Sequence, residues 1–338
     1  MDNILVIQTA FIGDAVLTLP LIQQIKLKYP NSSLDVLAIP SSKEIFENSP
    51  YVNNVFIYDK RNTEKGIRAL LKLGKKLKGN KYTLLFSPHR SFRSSVLVML
   101  SGVKETYGFD NSSLKYVYRN IITYNIEEHE VLRNLRLISF DEKEDDWRKL
   151  PILSIPQTTK EKVNEFLKLN NIDKFICVAP GTVWETKKYP TDYFVKIVKY
   201  FSDRDYNVII TGSKNEKELC EKFIAINKNV INVAGTFTIP ETIELIGYAK
   251  LLICNDSAPT HFGMIKDIKV LTLYCSTVAE FGFYPYNSKS KYLSYDNLKC
   301  KPCGIHGFTD CPIKTFECGI NLSPEIVIEE AKKLLNDF

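Results

Sequence analysis

Three loops in this sequence carry acids, cations and small polar residues directly after apolar runs, where a fold can aim them at a ligand. The first, Thr9-Ala10-Phe11-Ile12-Gly13-Asp14, leads straight into a helical pattern. Gly13 permits close backbone approach, and Asp14 stands at a helix start, where a carboxylate either works on a ligand or merely caps the helix. The second is Pro180-Gly181-Thr182-Val183-Trp184-Glu185-Thr186-Lys187-Lys188-Tyr189-Pro190. Amides, hydroxyls and ammonium groups in one loop can hold phosphates, although an ordinary strand-to-helix loop has the same make-up. In the third, Asn255-Asp256-Ser257-Ala258-Pro259-Thr260-His261, Pro259 suits the first turn of a helix. Open amides there favour an anion such as a pyrophosphate, with His261 one turn in; the alternative is a cap at Asp256 or Ser257 and a satisfied polar His261. A fourth group, Cys300, Cys303, Cys311 and Cys318, is spaced C-x2-C-x7-C-x6-C around His306. A C-x2-C pair places two thiolates on one tetrahedral zinc, but the second pair is wider than a usual ribbon's.

The elements that must position these groups alternate in type. Strands are expected at 3–8, 33–39, 55–58, 82–87 and 105–109, with helices at 14–29, 42–48, 63–78 and 91–100 between them. The pattern restarts after residue 150, with strands at 175–179, 207–211, 230–234, 251–254 and 270–274 and helices at 192–202, 214–226, 240–249 and 259–266. Such alternation specifies an α/β fold with parallel sheets covered on both faces. Pro151–Pro156 suits a hinge, so residues 1–155 and 156–322 are read as two doubly wound domains with a ligand cleft between them, and 323–338 as a terminal helix capped by Ser323. The dinucleotide spacing Gly-x-Gly-x-x-Gly is absent after the first strand, which weakens a nicotinamide-dehydrogenase reading.

Composition sets limits. The 338 residues are 44% hydrophobic and 25% charged, as expected of a folded chain of about two domains. No apolar run is long enough to span a bilayer, and the amino terminus has no signal-peptide pattern, so the cytosol is the expected compartment. The net charge of +6 suits an acidic or phosphorylated partner without arguing for nucleic acid. Eleven Lys and Arg but one acid, Glu64, fall between Lys60 and Arg93. Lys65, Arg68, Lys72, Lys75 and Lys76 are expected to share one helix face opposite Ile67, Leu70, Leu71 and Leu77, either as a solvated surface or facing anionic headgroups. Arg90 and Arg93 fall at the expected crevice edge, facing carboxylates or phosphates. Cys177, Cys220, Cys254 and Cys275 read as buried thiols, and Asp141–Asp146 as a surface turn.

Taken in order, Gly13-Asp14 with Leu17-Thr18-Leu19-Pro20, Pro180-Gly181-Thr182 with Lys187-Lys188-Tyr189-Pro190, Gly212-Ser213 with Glu216, and Asn255 to His261 resemble glycosyltransferase family 9, the ADP-heptose:lipopolysaccharide heptosyltransferases. The resemblance covers nearly the whole chain and extends to Glu130–Leu135 and the cysteine-bearing tail. It implies a GT-B fold of two Rossmann-like domains, the first binding the acceptor and the second ADP-heptose. It implies inverting, heptosyltransferase II-like transfer of heptose to the inner core of lipopolysaccharide, with no cofactor, no essential metal and no nucleic acid. The place implied is cytoplasmic, in peripheral contact with the inner membrane. By the same resemblance Asp14 is the catalytic base and Lys187 the phosphate-contacting lysine. Thr182 is a phosphate-side contact, Glu216 a ribose contact, and Asp256, Ser257, Ala258 and His261 the anion-binding helix start; Gly13, Arg90 and Arg93 belong to the acceptor side. Tyr189 stands where Trp is more usual. Two other readings compete: a transferase of another nucleotide-activated sugar on the same fold, and a non-enzymatic nucleotide or nucleic-acid binder whose cysteine tail is a zinc knuckle.

Overall fold

A computed structural model describes residues 2–143 and 146–336; Glu144 and Asp145, inside the expected acidic turn, lie outside the described residues. The chain divides into two units, Met1–Ser154 and Ile155–Phe338.

The first unit runs β1 (Asn3–Ile7), α1 (Ile12–Lys28), β2 (Ser33–Ala38), α2 (Lys43–Glu47), β3 (Asn54–Ile57), α3 (Ile67–Gly79), β4 (Leu84–Ser87), α4 (Phe92–Ser101), β5 (Glu105–Phe109), β6 (Asn120–Ile122) and α5 (Glu130–Arg136). Its strands pair only in parallel, in the order β3-β2-β1-β4-β5-β6. Ile4 to Ile7 are wholly buried, because a parallel strand covered on both faces needs apolar residues on both. The order reverses between β1 and β4, and loops leaving the carboxyl ends there diverge into a crevice.

Helix α3 begins later than the expected residue 63. The Asp59 carboxylate accepts the backbone N–H groups of Asn62 and Thr63, holding them in a turn, and Gly66 enters the helix at φ +90°. A second correction concerns its faces. The buried stripe is Leu70, Leu73, Gly74 and Leu77, while Ile67 and Leu71 are 65% and 50% exposed among the cations. Helix α4 packs on α3 and covers only that narrow stripe.

The second unit runs α6 (Gln157–Leu169), β7 (Phe175–Ala179), α7 (Thr191–Ser202), β8 (Asn207–Ile210), α8 (Lys217–Glu221), β9 (Val230–Asn232), α9 (Ile239–Tyr248), β10 (Leu251–Asn255), α10 (Ala258–Ile265), β11 (Val270–Tyr274), β12 (Lys291–Ser294), α11 (Glu317–Ile320) and α12 (Pro324–Leu335). The parallel order is β12-β11-β10-β7-β8-β9, again with a reversal beside the first strand, between β7 and β10. Ile176, Val178, Phe194, Ile197, Val208 and Ile253 belong to its core. Helix α12 packs on α7; Ser323 precedes it without capping it, its hydroxyl serving the Glu325 carboxylate instead. Two six-stranded sheets of one winding are the expected α/β, Rossmann-like class.

Candidate active site

On the first unit, Asp14 is the third residue of α1 and half-buried, one place after Gly13. Its Oδ2 accepts the Phe11 N–H at 3.2 Å, so it does cap the helix. Charged groups gather on the same loops. The Thr9 carbonyl accepts the Lys60 ammonium at 2.6 Å, and the Lys60 carbonyl accepts the exposed Arg93 guanidinium at 3.2 Å. Burial, with the Arg61 and Arg93 charges, holds the Lys60 ammonium below its ordinary value. His89 Nδ1 lies 2.8 Å from the Thr9 hydroxyl and 2.9 Å from that of Ser94. Burial, aided by Lys60 and Arg90, pushes His89 down to about 3, so its ring stays neutral.

The Arg90 guanidinium stands over the Tyr124 ring, 3.9 Å from its centroid, and Arg133 stands 4.5 Å from the same centroid. The Tyr124 hydroxyl donates to the Glu130 carboxylate at 3.0 Å, which pairs with Arg133 at 2.9 Å. Burial drives the Glu130 carboxyl upward; Arg133 opposes that, and the Asp14 charge adds to it. Asp14 therefore shares its field with Glu130, Arg133 and Arg90. Helix α5 carries Glu130 there by packing on α1, with the Asn134 amide donating to the Leu17 carbonyl at 3.1 Å. Gly13, Asp14, Arg90 and Arg93 are the residues expected from sequence, and Glu130 and Arg133 fall in the 130–135 segment that the resemblance takes in without a role; Lys60, His89 and Tyr124 are additions. The Glu130/Arg133 spacing of three residues is a further signal for that pair. A carboxylate among cations on loop ends can take a proton from a ligand whose anionic groups the cations hold.

On the second unit, Lys187 Nζ is 2.6 Å from Asp256 Oδ2, with the two side chains 14% and 10% exposed. Asp256 also accepts the Thr277 hydroxyl at 2.7 Å. This departs from a capping Asp256: its carboxylate is committed to Lys187 and Thr277. Ser257 precedes α10 but sends its hydroxyl to the Asn255 carbonyl, so no side chain caps the amide end at Ala258. Asn255 ties the two diverging loops together, donating to the Pro180 carbonyl at 2.8 Å and accepting the Tyr189 N–H at 2.9 Å. Tyr189 is wholly buried and donates its hydroxyl to the Leu322 carbonyl at 2.7 Å. His261 is buried one turn into α10, with Nδ1 unpartnered among the described residues; burial pushes it down to about 4. Thr182 is half-buried after β7. Glu216 reaches the same loop. Its Oε2 accepts the Ser213 N–H at 2.7 Å, and a Cβ on Gly181 would overlap its carboxylate. An ammonium and an uncapped helix start at one loop edge can receive a diphosphate, and a carboxylate beside them can accept hydroxyls.

Cys177, Cys220, Cys254 and Cys275 are buried singly, as expected. Cys300, Cys303, Cys311 and Cys318 line one cavity of about 240 Å³ with Phe308 and Pro312. Burial pushes the Cys311 thiol up, but the N–H groups of Phe316, Ile313, Thr315 and Lys314 outweigh it and bring the thiol below its usual value. Among the described residues no three His, Cys, Asp or Glu side chains are arranged to hold a metal ion, so the four thiols share a cavity without forming a ready tetrahedral site.

A family model described as glycosyltransferase family 9 (heptosyltransferase) matches residues 70–307. The chain is similar to a lipooligosaccharide heptosyltransferase 2 of Campylobacter jejuni, 29% identical over 329 residues that cover 96% of each chain. Among solved structures it resembles the ADP-heptose lps heptosyltransferase II of E. coli, with a TM-score of 0.80 at 21% identity and 99% of each chain covered. It also resembles a family 9 glycosyl transferase of Veillonella parvula, with a TM-score of 0.82 at 18% identity, covering 100% of this chain and 98% of that one.

Proposed function

The chain belongs to glycosyltransferase family 9, and from that membership we propose that it transfers heptose from ADP-heptose to the inner core of lipopolysaccharide, inverting the anomeric centre. The observation that carries this reading is the Lys187–Asp256 pair beside the uncapped start of α10. When the glycosidic bond breaks, the departing ADP gains negative charge, and a prepositioned ammonium with helix amides stabilises it without reorganising. In this reading Lys187, Thr182 and the amides at Ser257 and Ala258 receive the diphosphate. Asp256 acts by holding Lys187, Glu216 accepts ribose hydroxyls, and neutral His261 lines the floor. On the first unit Asp14 takes the proton from the attacking acceptor hydroxyl, Gly13 leaves room for the sugar, and Arg90 and Arg93, joined by Lys60, hold acceptor phosphates or carboxylates. The reaction then calls on no cofactor and no metal. The test is incubation of purified protein with ADP-heptose and a heptose-free inner-core acceptor, read by mass spectrometry. One added heptose with equimolar ADP is expected, undiminished by EDTA; transfer from a different nucleotide sugar alone would reject the donor.

The ribose contact has its own test. Gly181→Ala forces the Glu216 carboxylate away from the β7 loop, and loss of charge-assisted hydrogen bonds is expected to weaken ADP about tenfold in titration calorimetry. Unchanged affinity would place the ribose elsewhere.

Among the described residues no helix is long and apolar enough to cross a membrane. We propose peripheral docking at the cytoplasmic face of the inner membrane through α3, where exposed Ile67 and Leu71 lie among Arg68, Lys72, Lys75 and Lys76. A basic surface gains about 1 kcal/mol per cation near anionic lipid. Replacing Lys72, Lys75 and Lys76 by Gln should therefore cut partitioning onto anionic vesicles on the order of a hundredfold at low salt. Unaltered vesicle binding would reject this surface.

A further inference from the structure

Residues 301–308 are stitched to the Lys187 loop by a continuous series of hydrogen bonds. At its start the nearly buried Lys301 ammonium meets the Asp296 carboxylate at 3.0 Å, the Tyr295 and Tyr274 carbonyls at 3.3 and 3.4 Å, and the Ser294 hydroxyl. The Cys303 N–H donates to the Ser276 carbonyl at 2.8 Å, and the Ser276 N–H to the Thr186 carbonyl at 3.2 Å. Thr186 then closes a reciprocal pair: its N–H donates to the Phe308 carbonyl at 3.1 Å, and its Oγ1 accepts the Phe308 N–H at 2.8 Å. That hydroxyl also lies 3.2 Å from the Phe308 carbonyl. Gly307, at φ +78°, packs so closely that a Cβ would stand 2.8 Å from Thr186 Oγ1 and 3.1 Å from Lys187 Cγ. The His306 ring lies nearly parallel to Trp184, with centroids 6.3 Å apart.

Lys187 needs such support. It ends a single 3₁₀ turn, Glu185–Lys187, whose backbone is otherwise tied locally by the Lys187 N–H to the Trp184 carbonyl at 3.0 Å. A short turn of that kind does not fix a long side chain by itself. Thr186, the neighbour of Lys187, is buried and turns its hydroxyl to the strap. We infer that the segment 301–308 is a strap that holds the Lys187 ammonium in place for the donor diphosphate, with Thr186 as the positioning residue through which it acts. The inference rests on the donor reading above and adds to it a device outside the phosphate contacts.

Thr186→Val keeps the shape of the side chain and removes the hydroxyl, whereas Thr186→Ser restores it. Small displacements of a binding group can cost up to about a hundredfold in rate. We expect Thr186→Val to lower both ADP affinity and kcat about tenfold with the acceptor KM unchanged, and Thr186→Ser to recover both. Gly307→Ala presses on the same contact from the strap and should reproduce the loss. The decisive measurement is a double-mutant cycle on ADP affinity. In a Lys187→Ala background, Thr186→Val should have no further effect. Equal losses in both backgrounds would make Thr186 merely structural, and unchanged ADP affinity in either well-folded Thr186→Val or Gly307→Ala would remove the strap's role. Failure of the wild-type protein to bind ADP would instead overturn the donor reading.

Discussion

Asp14→Asn is expected to lower turnover by about 10²–10⁴ while leaving ADP affinity almost intact. A sugar hydroxyl is a poor nucleophile, and its proton must leave as the new bond to the anomeric carbon forms. In the proposed reading the groups on the second unit's loop edge receive the anionic leaving group, so the base is sought on the first. Asp14 is half-buried at the carboxyl end of β1, the position that the strand reversal opens to ligands. A second carboxylate that feels its charge, Glu130, is buried and committed to Arg133 and Tyr124. Asparagine keeps an oxygen for the Phe11 N–H, so the cap survives and only basicity is lost. Turnover near that of the wild type, measured at saturating acceptor, would reduce Asp14 to a helix cap.

Lys187→Ala comes next in size, with an expected loss of about 10²–10³ in kcat, the range for removing one preorganised donor to a developing negative charge. ADP should also bind more weakly, because in the proposed reading the ammonium meets the diphosphate in the ground state as well. The substitution deprives the Asp256 carboxylate of its ion-pair partner, although the Thr277 hydroxyl remains on it. A lowered melting temperature is therefore expected beside the kinetic effect, and Lys187→Ala/Asp256→Asn should recover stability without recovering turnover. Recovery of both would assign the lysine to the fold. Restoration of Lys187→Ala by magnesium would show that charge, not this ammonium's placement, was what the site lacked.

Much of the fold was legible because strands buried on both faces leave near-continuous apolar runs. Ile4–Ile7 and Phe175–Ala179 stand out for that reason. The edge strands β6 and β12 were not legible. Asn120–Ile122 and Lys291–Ser294 are short and half-exposed, so neither needs an apolar run. Helix α6 escaped for a related reason: only Val163 and Leu167 of its thirteen residues are buried, and its surface reads as a polar linker. Helix α8 came out shorter than its periodic pattern over 214–226, ending at Glu221.

For the candidate site, loops after strong strands could be found without knowing what they faced. Asp14, Lys187 and Asp256 were singled out on that basis. The pairing of Lys187 with Asp256 was hidden, because it joins loops of different strands that become neighbours only when the sheet reverses its order. Tyr124 was hidden more deeply, while Glu130 and Arg133 were visible only as part of the 130–135 segment, with no role attached. All three come from chain beyond β6; the packing of α5 on α1 carries Glu130 and Arg133 toward Asp14, and the Tyr124 N–H donates to Asp110 Oδ1 at 3.0 Å. Nor does local sequence distinguish Thr186 from any other loop threonine, since its partner is Phe308.

The Tyr124 ring, with the guanidinium carbons of Arg90 and Arg133 at 3.9 and 4.5 Å from its centroid, changes what an acceptor would meet. A free arginine side chain carries roughly 2 kcal/mol of rotamer entropy, normally surrendered when it closes on an anion. Arg90, already seated over an aromatic ring, has surrendered much of that on folding. An acidic sugar would thus encounter a rigid, partly dehydrated cation in place of a mobile, fully hydrated one. Discrimination among acceptors would then depend on where their anionic groups lie relative to a fixed plane. Relaxing that plane would broaden the choice of acceptor before it weakened binding to any one of them.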